Sequence, residues 1–285
     1  MFNTLKTLVL LGVLSAMIVG VGGLVGGRSG VMFAFVFALV MNVGSYWFSA
    51  PLALRMSNAQ PVDRSQAPEL YQIVENLTRK ANLPMPTVHM IPSDSANAFA
   101  TGRDPNHSAV AVTQGIMGIL NEREMEAVLA HELGHVRNRD ILITSVAAVL
   151  ASTVTMIAHN APYLVGFGNR DDEGRPNIVG LLLISILAPL AATLVNLALS
   201  RSREYQADAS GAKLCGDPMA LASALQKVEQ ASQAVPMTSL NPALSSLYIT
   251  NPDPRSWFVT LLSTHPSTAD RIKRLEAMAR GQSID

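Results

Sequence analysis

The chain has 285 residues, of which 49% are hydrophobic and 15% are charged, and its formal net charge at pH 7 is zero. The charged share is well below the roughly 25% that is usual in soluble domains, which argues against an ordinary soluble globular protein. A net charge of zero provides no global field for nucleic acid, and we expect no nucleic-acid partner. The single cysteine, Cys215, excludes an intrachain disulfide framework and is typical of a reducing compartment.

Four apolar stretches without a charged residue account for the hydrophobic excess. About 20 apolar residues cross the hydrocarbon core of a bilayer as a helix, so each stretch is a candidate transmembrane helix. The four stretches are Thr7–Val25, Val31–Leu54, Ile141–Ala158 and Ile178–Leu199. Two alternatives stay open: the first stretch as a cleaved signal peptide, because Lys6 precedes it, and the shorter third stretch as a buried core helix.

The basic residues are divided unevenly between the two sides that these spans define. Of the 21 Lys and Arg residues, only Arg28, Arg170 and Arg175 would lie on the side away from the termini. Positively charged residues concentrate on the cytoplasmic side of membrane proteins. The distribution therefore predicts that both termini are cytoplasmic.

Four spans with cytoplasmic termini bring residues 55–140 and 201–285 to the same face of the membrane. Their combined length is that of one domain. We therefore expect two transmembrane helices within residues 1–54 and one domain over residues 55–285, interrupted by a transmembrane hairpin at 141–199. The expected fold class is α+β, a multi-pass membrane protein with a mainly helical cytosolic domain.

The first cytosolic block contains signals for a helix followed by a small sheet. Apolar residues at helical spacing predict an amphipathic helix over Ala67–Leu83. Three short extended runs follow, separated by turn residues, so we expect a small antiparallel sheet. The runs are Thr87–Ile91, Asn97–Thr101 and Ala109–Thr113, and the turns are placed at Asp94, at Gly102 and at Asp104, Pro105 and Asn106.

A further helix begins after this sheet. Asn121 is an expected N-cap, and Glu124, three residues later, completes the pattern of a capping box. No proline occurs between Asn121 and Asn160. The helix can therefore continue directly into the third apolar stretch, or bend at residues 137–140.

This helix contains the most informative motif of the chain, His131-Glu132-Leu133-Gly134-His135. Histidines four residues apart project from nearly the same face of a helix, so two imidazoles can hold one Zn²⁺. Glu132 can reach a water at that metal without ligating it, which is where a general base is needed. A chance pair of surface histidines is the alternative.

A catalytic zinc normally has three protein ligands and one open position, so the motif requires a third ligand. His135 lies six residues before Ile141, roughly 9 Å along a helix from the predicted membrane. The chain returns to the same face at Leu199, and Glu204 follows five residues later, at roughly 8 Å by the same arithmetic. Glu204 is therefore preferred over the other carboxylates as the third ligand.

Asp208 lies one helical turn beyond Glu204 and can share its face. An expected role is to accept the distal N–H of a ligating histidine, which fixes the tautomer of that ring and raises its basicity. The alternative is that Glu204 and Asp208 form salt bridges with nearby basic residues, such as Arg201 or Lys213, on a solvated helix.

Several motifs together resemble the HtpX family of heat-shock membrane proteases, which are relatives of the CAAX prenyl protease and of a mitochondrial stress-activated protease. The resemblance covers essentially the whole chain and includes two leading spans and a returning hairpin. Its motifs are the N-A-F-A-T-G run from Asn97, the H-E-L-G-H sequence, the S-R-S-R-E-Y-Q-A-D segment that contains Glu204, and His265-Pro266 with Arg271-Ile272.

The resemblance implies a gluzincin zinc endopeptidase in the bacterial inner membrane that acts in membrane-protein quality control under stress. One Zn²⁺ per subunit would be held by His131, His135 and Glu204, with Glu132 as the catalytic acid and base. Expected partners are protein substrates, preferentially unfolded or membrane proteins, and membrane lipid. The sequence does not predict an oligomeric state.

Two further segments take expected roles from the same resemblance. The run Asn97, Ala98, Phe99, Ala100 and Thr101 resembles an active-site edge strand, which would bind an extended substrate by β-augmentation. An ordinary hairpin strand is the alternative. His265 could stabilise the tetrahedral oxyanion of the reaction, or it could serve packing or capping.

Two other functions remain open at this point. One is a non-catalytic membrane scaffold that uses zinc only to hold the hairpin, although a structural zinc site has no need of a base such as Glu132 and usually has four protein ligands. The other is a CAAX-type processing protease. The expectation of only four spans, without a large intramembrane chamber, disfavours that second function.

Overall fold

The structure, a computed structural model, describes residues 2–146, 201–235, 247–249 and 266–282. Three predictions lie wholly or mostly outside these residues. They concern the apolar stretch Ile178–Leu199, the third stretch beyond residue 146, and His265.

The N-terminal 56 residues form an apolar helical hairpin. Helix α1 spans Phe2–Met56 and is broken at Gly27, whose backbone adopts φ 55° and ψ −138°. Asn42 Nδ2 donates to Ser15 Oγ at 2.7 Å, so the two halves of α1 fold back on each other. A positive φ of this kind favours glycine, which explains why the chain reverses there.

The second half of this hairpin has the properties of a membrane span. Gly27–Gly44 is long and apolar enough to cross a bilayer, and it is the one such candidate among the described residues, with a shorter apolar helix at Leu11–Gly20. Large apolar side chains on it face outward, and Phe33 is 75% exposed. The prediction of four transmembrane helices is therefore not confirmed.

The helix and the capping box predicted for the first block are confirmed. Helix α2 spans Pro68–Ala81 and buries Leu70 and Leu77 on its inner face. The short helix α3 spans Gln114–Ile119. Helix α4 spans Glu122–Arg137 and begins with Asn121 and Glu124 in a reciprocal capping box. The local sequence therefore determines where the motif helix begins.

The sheet has four strands in the order β1-β2-β4-β3. The strands are β1 Gln60–Pro61, β2 Thr87–Ile91, β3 Ala98–Asp104 and β4 His107–Thr113. The prediction of an antiparallel sheet is wrong, because β2 pairs in parallel with β4 while β3 and β4 form an antiparallel hairpin. After β2 the chain crosses to the far edge, so β4 returns between β2 and β3. Strand β3 is thereby left at an edge.

The chain bends where α4 meets the third apolar stretch. Helix α4 ends at Arg137, and Arg139 adopts a left-handed φ of 58°. Residues 141–146 are helical again. Of the two possibilities left by the sequence, the bend is the one observed.

Three further helices complete the described domain, and they are α5 Arg201–Cys215, α6 Pro218–Ala234 and α7 Thr268–Ala279. Helices α2, α4 and α6 pack with the sheet and α7 around one apolar core. A smaller apolar cluster joins the end of α1 to β3 and includes Ala53, Phe99 and Tyr248. The motif helix α4 is therefore buried between the sheet on one side and α5 and α6 on the other.

Candidate metal centre

Three side chains from two helices meet at one point. His131 Nε2 and His135 Nε2 lie 3.2 Å apart on α4. Glu204 on α5 places one carboxylate oxygen 3.8 Å from His131 Nε2 and the other 3.6 Å from His135 Nε2. These three residues form a group that could hold a metal ion, as the spacing argument from the membrane anticipated.

The separations between these atoms fit a tetrahedral zinc site. Zinc binds imidazole nitrogen and carboxylate oxygen at roughly 2.0–2.2 Å, so neighbouring ligand atoms of a tetrahedron lie about 3.3 Å apart. The three observed separations range from 3.2 to 3.8 Å. Two imidazoles and one carboxylate would therefore supply three ligands to a Zn²⁺ ion, fewer than the four protein ligands of a structural zinc site.

Two glycines allow the helices that carry these ligands to approach closely. A Cβ on Gly211 of α5 would lie 2.7 Å from the backbone nitrogen of His131. A Cβ on Gly134 of α4 would lie 2.8 Å from Ser210 Oγ. Backbone contact at this crossing brings α5 near enough for the short glutamate side chain to reach both histidines.

Asp208 contacts the distal nitrogen of His131, as the spacing from Glu204 suggested. Its Oδ1 lies 2.9 Å from His131 Nδ1. Arg271 of α7 binds the same carboxylate through two hydrogen bonds, from Nε to Oδ2 at 2.8 Å and from Nη2 to Oδ1 at 2.7 Å. Burial alone would raise the pKa of Asp208, but the charge and hydrogen bonds of Arg271 lower it to about 2, so the carboxylate is ionised.

The corresponding partner of His135 is Asp140, which the sequence analysis did not identify. Asp140 Oδ2 lies 3.5 Å from His135 Nδ1, and the carboxylate is 1% exposed. The sequence contains a signal for this contact, because Asp140 follows His135 by five residues and a bend at 137–140 is one of the two paths expected for the chain. The left-handed turn at Arg139 carries the carboxylate back toward the ring.

The two histidines differ in their affinity for protons. Burial lowers the pKa of His131 to about 4, against the opposing contact with Asp208. Burial would also lower the pKa of His135, but contact with Asp140 and the charges of Glu204 and Glu132 raise it to about 9. Metal binding needs neutral imidazole. His131 is therefore neutral at pH 7, while His135 holds a proton that a cation would have to displace.

Glu132 lies beside this group without belonging to it. Its carboxylate accepts the backbone N–H of Ala100 on the edge strand β3 at 2.8 Å. Burial, reinforced by Glu204, raises the pKa of Glu132 to about 8, although His135 opposes the shift. A buried carboxylate with a pKa near neutrality has the proton affinity expected of a general acid and base.

The charges around the group favour a divalent cation. Four buried carboxylates, Glu132, Asp140, Glu204 and Asp208, surround it, and two buried guanidiniums of the described residues, Arg203 and Arg271, face them. At pH 7, with Glu132 and His135 protonated, three carboxylates balance two guanidiniums and one imidazolium. Two negative charges are left without compensation once both of these protons have left. A Zn²⁺ ion would neutralise them, so the donor set and the local charge both fit this metal.

A small cavity opens onto the three donor side chains. Its volume is about 20 Å³, and its walls include Ala100, Glu132 and the segment Leu247–Ile249. A space of this size holds about one water molecule. The cavity therefore provides room for a nucleophilic water, and a peptide could enter only if a wall moved.

The run Asn97–Thr101 lies mostly in β3, at the border of this cavity. Ala98 and Ala100 direct backbone groups away from β4, because the carbonyl of Ala98 accepts the N–H of Ile249 at 3.1 Å and the N–H of Ala100 is bound by Glu132. Phe99 packs against Tyr248. Strand β3 thus directs backbone hydrogen-bonding groups away from β4, and Ile249 and Glu132 bind two of them.

The other members of the run serve the strand itself. The backbone carbonyl of Asn97 accepts the N–H of Thr113 on β4. Thr101 Oγ1 lies 2.6 Å from Ser145 Oγ, which links β3 to residues 141–146. His265 lies outside the described residues, and its expected role at the oxyanion stays a prediction.

Comparison with known proteins identifies the family of this fold and site. The model of peptidase family M48 matches residues 64–279, and the chain belongs to that family. Within it, the chain is of the HtpX type. Protease HtpX homolog from Ralstonia pickettii (strain 12J) is 47% identical over 283 residues, which are 98% of each chain. The homolog from Burkholderia multivorans is 46% identical over 288 residues, covering all of both chains.

Among solved structures, the crystal structure of S. mikatae Ste24p is similar, with 22% sequence identity and a TM-score of 0.48. The alignment covers 86% of this chain and 57% of Ste24p, so the chain spans little more than half of that protein. The family identified from the motifs is confirmed by the full-length relatives.

Proposed function

We propose that the chain is a membrane-bound zinc endopeptidase that cleaves misfolded or damaged membrane and membrane-associated proteins during stress. The observation that carries this proposal is the convergence of His131, His135 and Glu204 beside a buried Glu132 that is not among the three donors. A site that only held a structural metal would have no use for an acidic side chain that does not bind the metal.

The three donor side chains would hold one Zn²⁺ per subunit through both Nε2 atoms and the Glu204 carboxylate. When bound, Zn²⁺ polarises the scissile carbonyl and makes a neighbouring water more acidic. Glu132 takes the proton of that water and returns it to the leaving amine. Burial raises the pKa of Glu132 to about 8, so this side chain has a high affinity for the proton that it would pass on.

The edge of β3 that faces away from β4 would supply a site for the substrate backbone, in exchange for its present bond with Ile249. An extended polypeptide added to this edge would bind through main-chain hydrogen bonds, with little dependence on its side chains. The bond from Ile249 N–H to Ala98 O shows that this edge accepts a backbone donor. Such a mode suits a protease that acts on many unfolded chains.

The position of the site relative to the membrane would select the substrates. The apolar hairpin of α1 ends beside β3, where Arg103 stacks over Trp47 at 4.4 Å. With four spans and both termini inside, the protease domain would lie on the cytoplasmic face of the bacterial inner membrane. Unfolded or misinserted membrane proteins would then be the nearest substrates.

The decisive experiment compares full-length wild type with Glu132→Gln in detergent, after zinc content has been measured by elemental analysis. Glu132→Gln should retain zinc and lose cleavage of an unfolded protein by at least about 100-fold, the usual contribution of a general base. Glu122→Gln is the matched control, because Glu122 is an exposed glutamate at the start of the same helix. It should cleave at the wild-type rate.

Two further substrates separate the alternatives. A misfolded membrane protein should be cut by wild type, whereas a prenylated C-terminal peptide should not be cut at a comparable rate. Preference for the prenylated peptide would indicate a CAAX-type processing protease. A zinc-loaded wild type that cleaves none of the substrates would indicate the non-catalytic scaffold, and full activity of zinc-loaded Glu132→Gln would contradict the mechanism.

A further inference from the structure

Arg271 is the largest side chain that is fully enclosed in the described part of the molecule. A buried guanidinium is unfavourable unless its donors are paired. All three of its nitrogens are used: Nε and Nη2 bind Asp208, and Nη1 donates to the backbone carbonyl of Ile249 at 2.8 Å. The carbonyl fixes the rotation of the guanidinium plane, so the pair with Asp208 has one geometry.

The paired carboxylate is also the one that contacts His131. Asp208 Oδ1 lies 2.7 Å from Arg271 Nη2 and 2.9 Å from His131 Nδ1. A bidentate guanidinium holds a carboxylate in one orientation more firmly than a single contact does. With the carboxylate so oriented, the proton of His131 is placed on Nδ1, and the lone pair of Nε2 faces His135 and Glu204.

Helix α7 reaches this position from a distant part of the chain. Arg271 and Asp208 are separated by 63 residues, and Arg271 is the one residue of α7 whose charge contacts both Asp208 and Glu204 among those described. Its Nη2 also lies 3.4 Å from His131 Nε2, and its Nη1 lies 4.0 Å from Glu204 Oε2, both farther than its 2.7 Å bond to Asp208. Arg271 is not among the residues that line the cavity, and its shortest link to the three donor side chains runs through Asp208.

We propose that Arg271 is a positioning residue of the metal centre, which acts on His131 through Asp208. The inference rests on the proposed zinc site. An ion pair that served only to stabilise the fold would affect unfolding but would leave the zinc affinity of the folded protein unchanged. Zinc affinity is therefore the readout that distinguishes positioning from fold stabilisation.

The experiment measures zinc dissociation constants by competition with a chromophoric chelator, in full-length protein that carries Glu132→Gln so that no cleavage occurs. Arg271→Lys keeps a cation but loses the pair of nitrogens that binds both oxygens of Asp208, and Arg271→Met removes the charge. Zinc affinity should fall by roughly 10–100-fold in Arg271→Met, the range for partners of metal-binding histidines, and by a smaller factor in Arg271→Lys. Lys273→Met, an exposed cation on the same helix, is the matched control and should bind zinc as wild type does.

A double-mutant cycle tests whether Arg271 acts through Asp208. In an Asp208→Asn background, Arg271→Met should change zinc affinity by less than about 3-fold, because coupled residues are not additive. The same loss in both backgrounds would overturn the proposal, as would wild-type affinity in folded Arg271→Lys. Should Arg271→Met fail to fold, Arg271→Lys and the double variant, which buries no unpaired charge, still decide the question.

This outcome is independent of the proposed proteolysis. If wild type binds zinc and cleaves no substrate, the proposed protease function is wrong. The zinc affinities of the double-mutant cycle still show whether Arg271 acts through Asp208. If wild type cleaves its substrates and the cycle shows no coupling, only the role of Arg271 is lost.

Discussion

The two histidines of the metal centre are the same residue type on one helix, separated by a single turn, yet their surroundings differ. His131, whose side chain is 1% exposed, marks the inner end of the metal centre. It contacts Asp208, whose charge is balanced by Arg271. His135, whose side chain is 12% exposed, marks the outer end. It contacts Asp140 at the longer distance of 3.5 Å and is surrounded by carboxylates. Local charge compensation, rather than residue type, therefore decides which ring holds a proton.

The difference extends to how each end is built. The inner end is fixed by backbone contact with α5 and by a bidentate ion pair, whereas the outer end depends on a turn at the C-terminus of α4. We expect the inner end to be rigid, so that substitutions there lower stability or zinc affinity strongly. The outer end should respond more to pH and to electrostatic changes.

The largest expected effect comes from the glycines of the helix crossing. A Cβ on Gly211 would press on backbone atoms of His131, so Gly211→Ala should lower the free energy of unfolding by about 1–3 kcal/mol. Gly134→Ala meets mainly the hydroxyl of Ser210, which can rotate, and should cost less than about 1 kcal/mol. Thermal unfolding in detergent would measure both.

Gly118→Ala is the control for this pair, because no atom lies within 4 Å of its added Cβ on α3. It should be neutral or stabilising by up to about 1 kcal/mol, as expected for alanine in a helix. Equal destabilisation by Gly211→Ala and Gly134→Ala would show that the two ends are equally rigid.

The second comparison removes the carboxylate behind each histidine. Asp208→Ala should weaken zinc binding by roughly 10–100-fold, since it removes an ionised acceptor from His131. Asp140→Ala should weaken it by less than about 10-fold, because its contact with His135 is longer. Competition with a chelator gives both constants. A larger loss from Asp140→Ala would reverse the assignment of the rigid end.

The third comparison concerns the pH dependence of zinc affinity, which should come from the outer end. His131, with a pKa of about 4, does not compete with zinc above pH 5. His135, with its pKa raised to about 9, must lose a proton whenever zinc binds below that pH. Affinity should therefore rise about tenfold per pH unit between roughly pH 6 and 9 and level off above that.

Asp140→Asn sharpens this test, because it removes one of the charges that raise the pKa of His135. The plateau of zinc affinity should then begin at a lower pH. Measurement in Glu132→Gln protein excludes the titration of Glu132 itself. A profile that is flat from pH 6 to 9 would mean that His135 is already neutral in the metal-free protein.

Local signals in the sequence predicted much of this architecture. The capping box of Asn121 and Glu124 depends on two residues that are three positions apart, so the local sequence is enough to predict it, and the prediction is confirmed. The convergence of His131, His135 and Glu204 was reached from helix geometry and from the expected return of the chain to the membrane surface. Both arguments use distances that a helix fixes.

Long-range pairings could not be read in the same way. The parallel pairing of β2 with β4 depends on where the chain crosses after β2, and turn residues do not specify that path. The contact of Arg271 with Asp208 joins positions 63 residues apart and needs the packing of α7 on α5. Asp140 was missed although it is local, because the left-handed turn at Arg139 has no proline or glycine to mark it.

The hydrogen bond from Ile249 to Ala98 has a consequence for selectivity. On the proposed function, an incoming strand does not meet an empty edge but exchanges with a segment of the same chain. Such a tethered competitor acts at an effective concentration on the order of millimolar. A short or folded peptide would not displace Ile249 from β3. A long unfolded segment could displace it by forming several backbone hydrogen bonds with the strand at once. The threshold for entry would then be the length of extended chain that a damaged protein exposes.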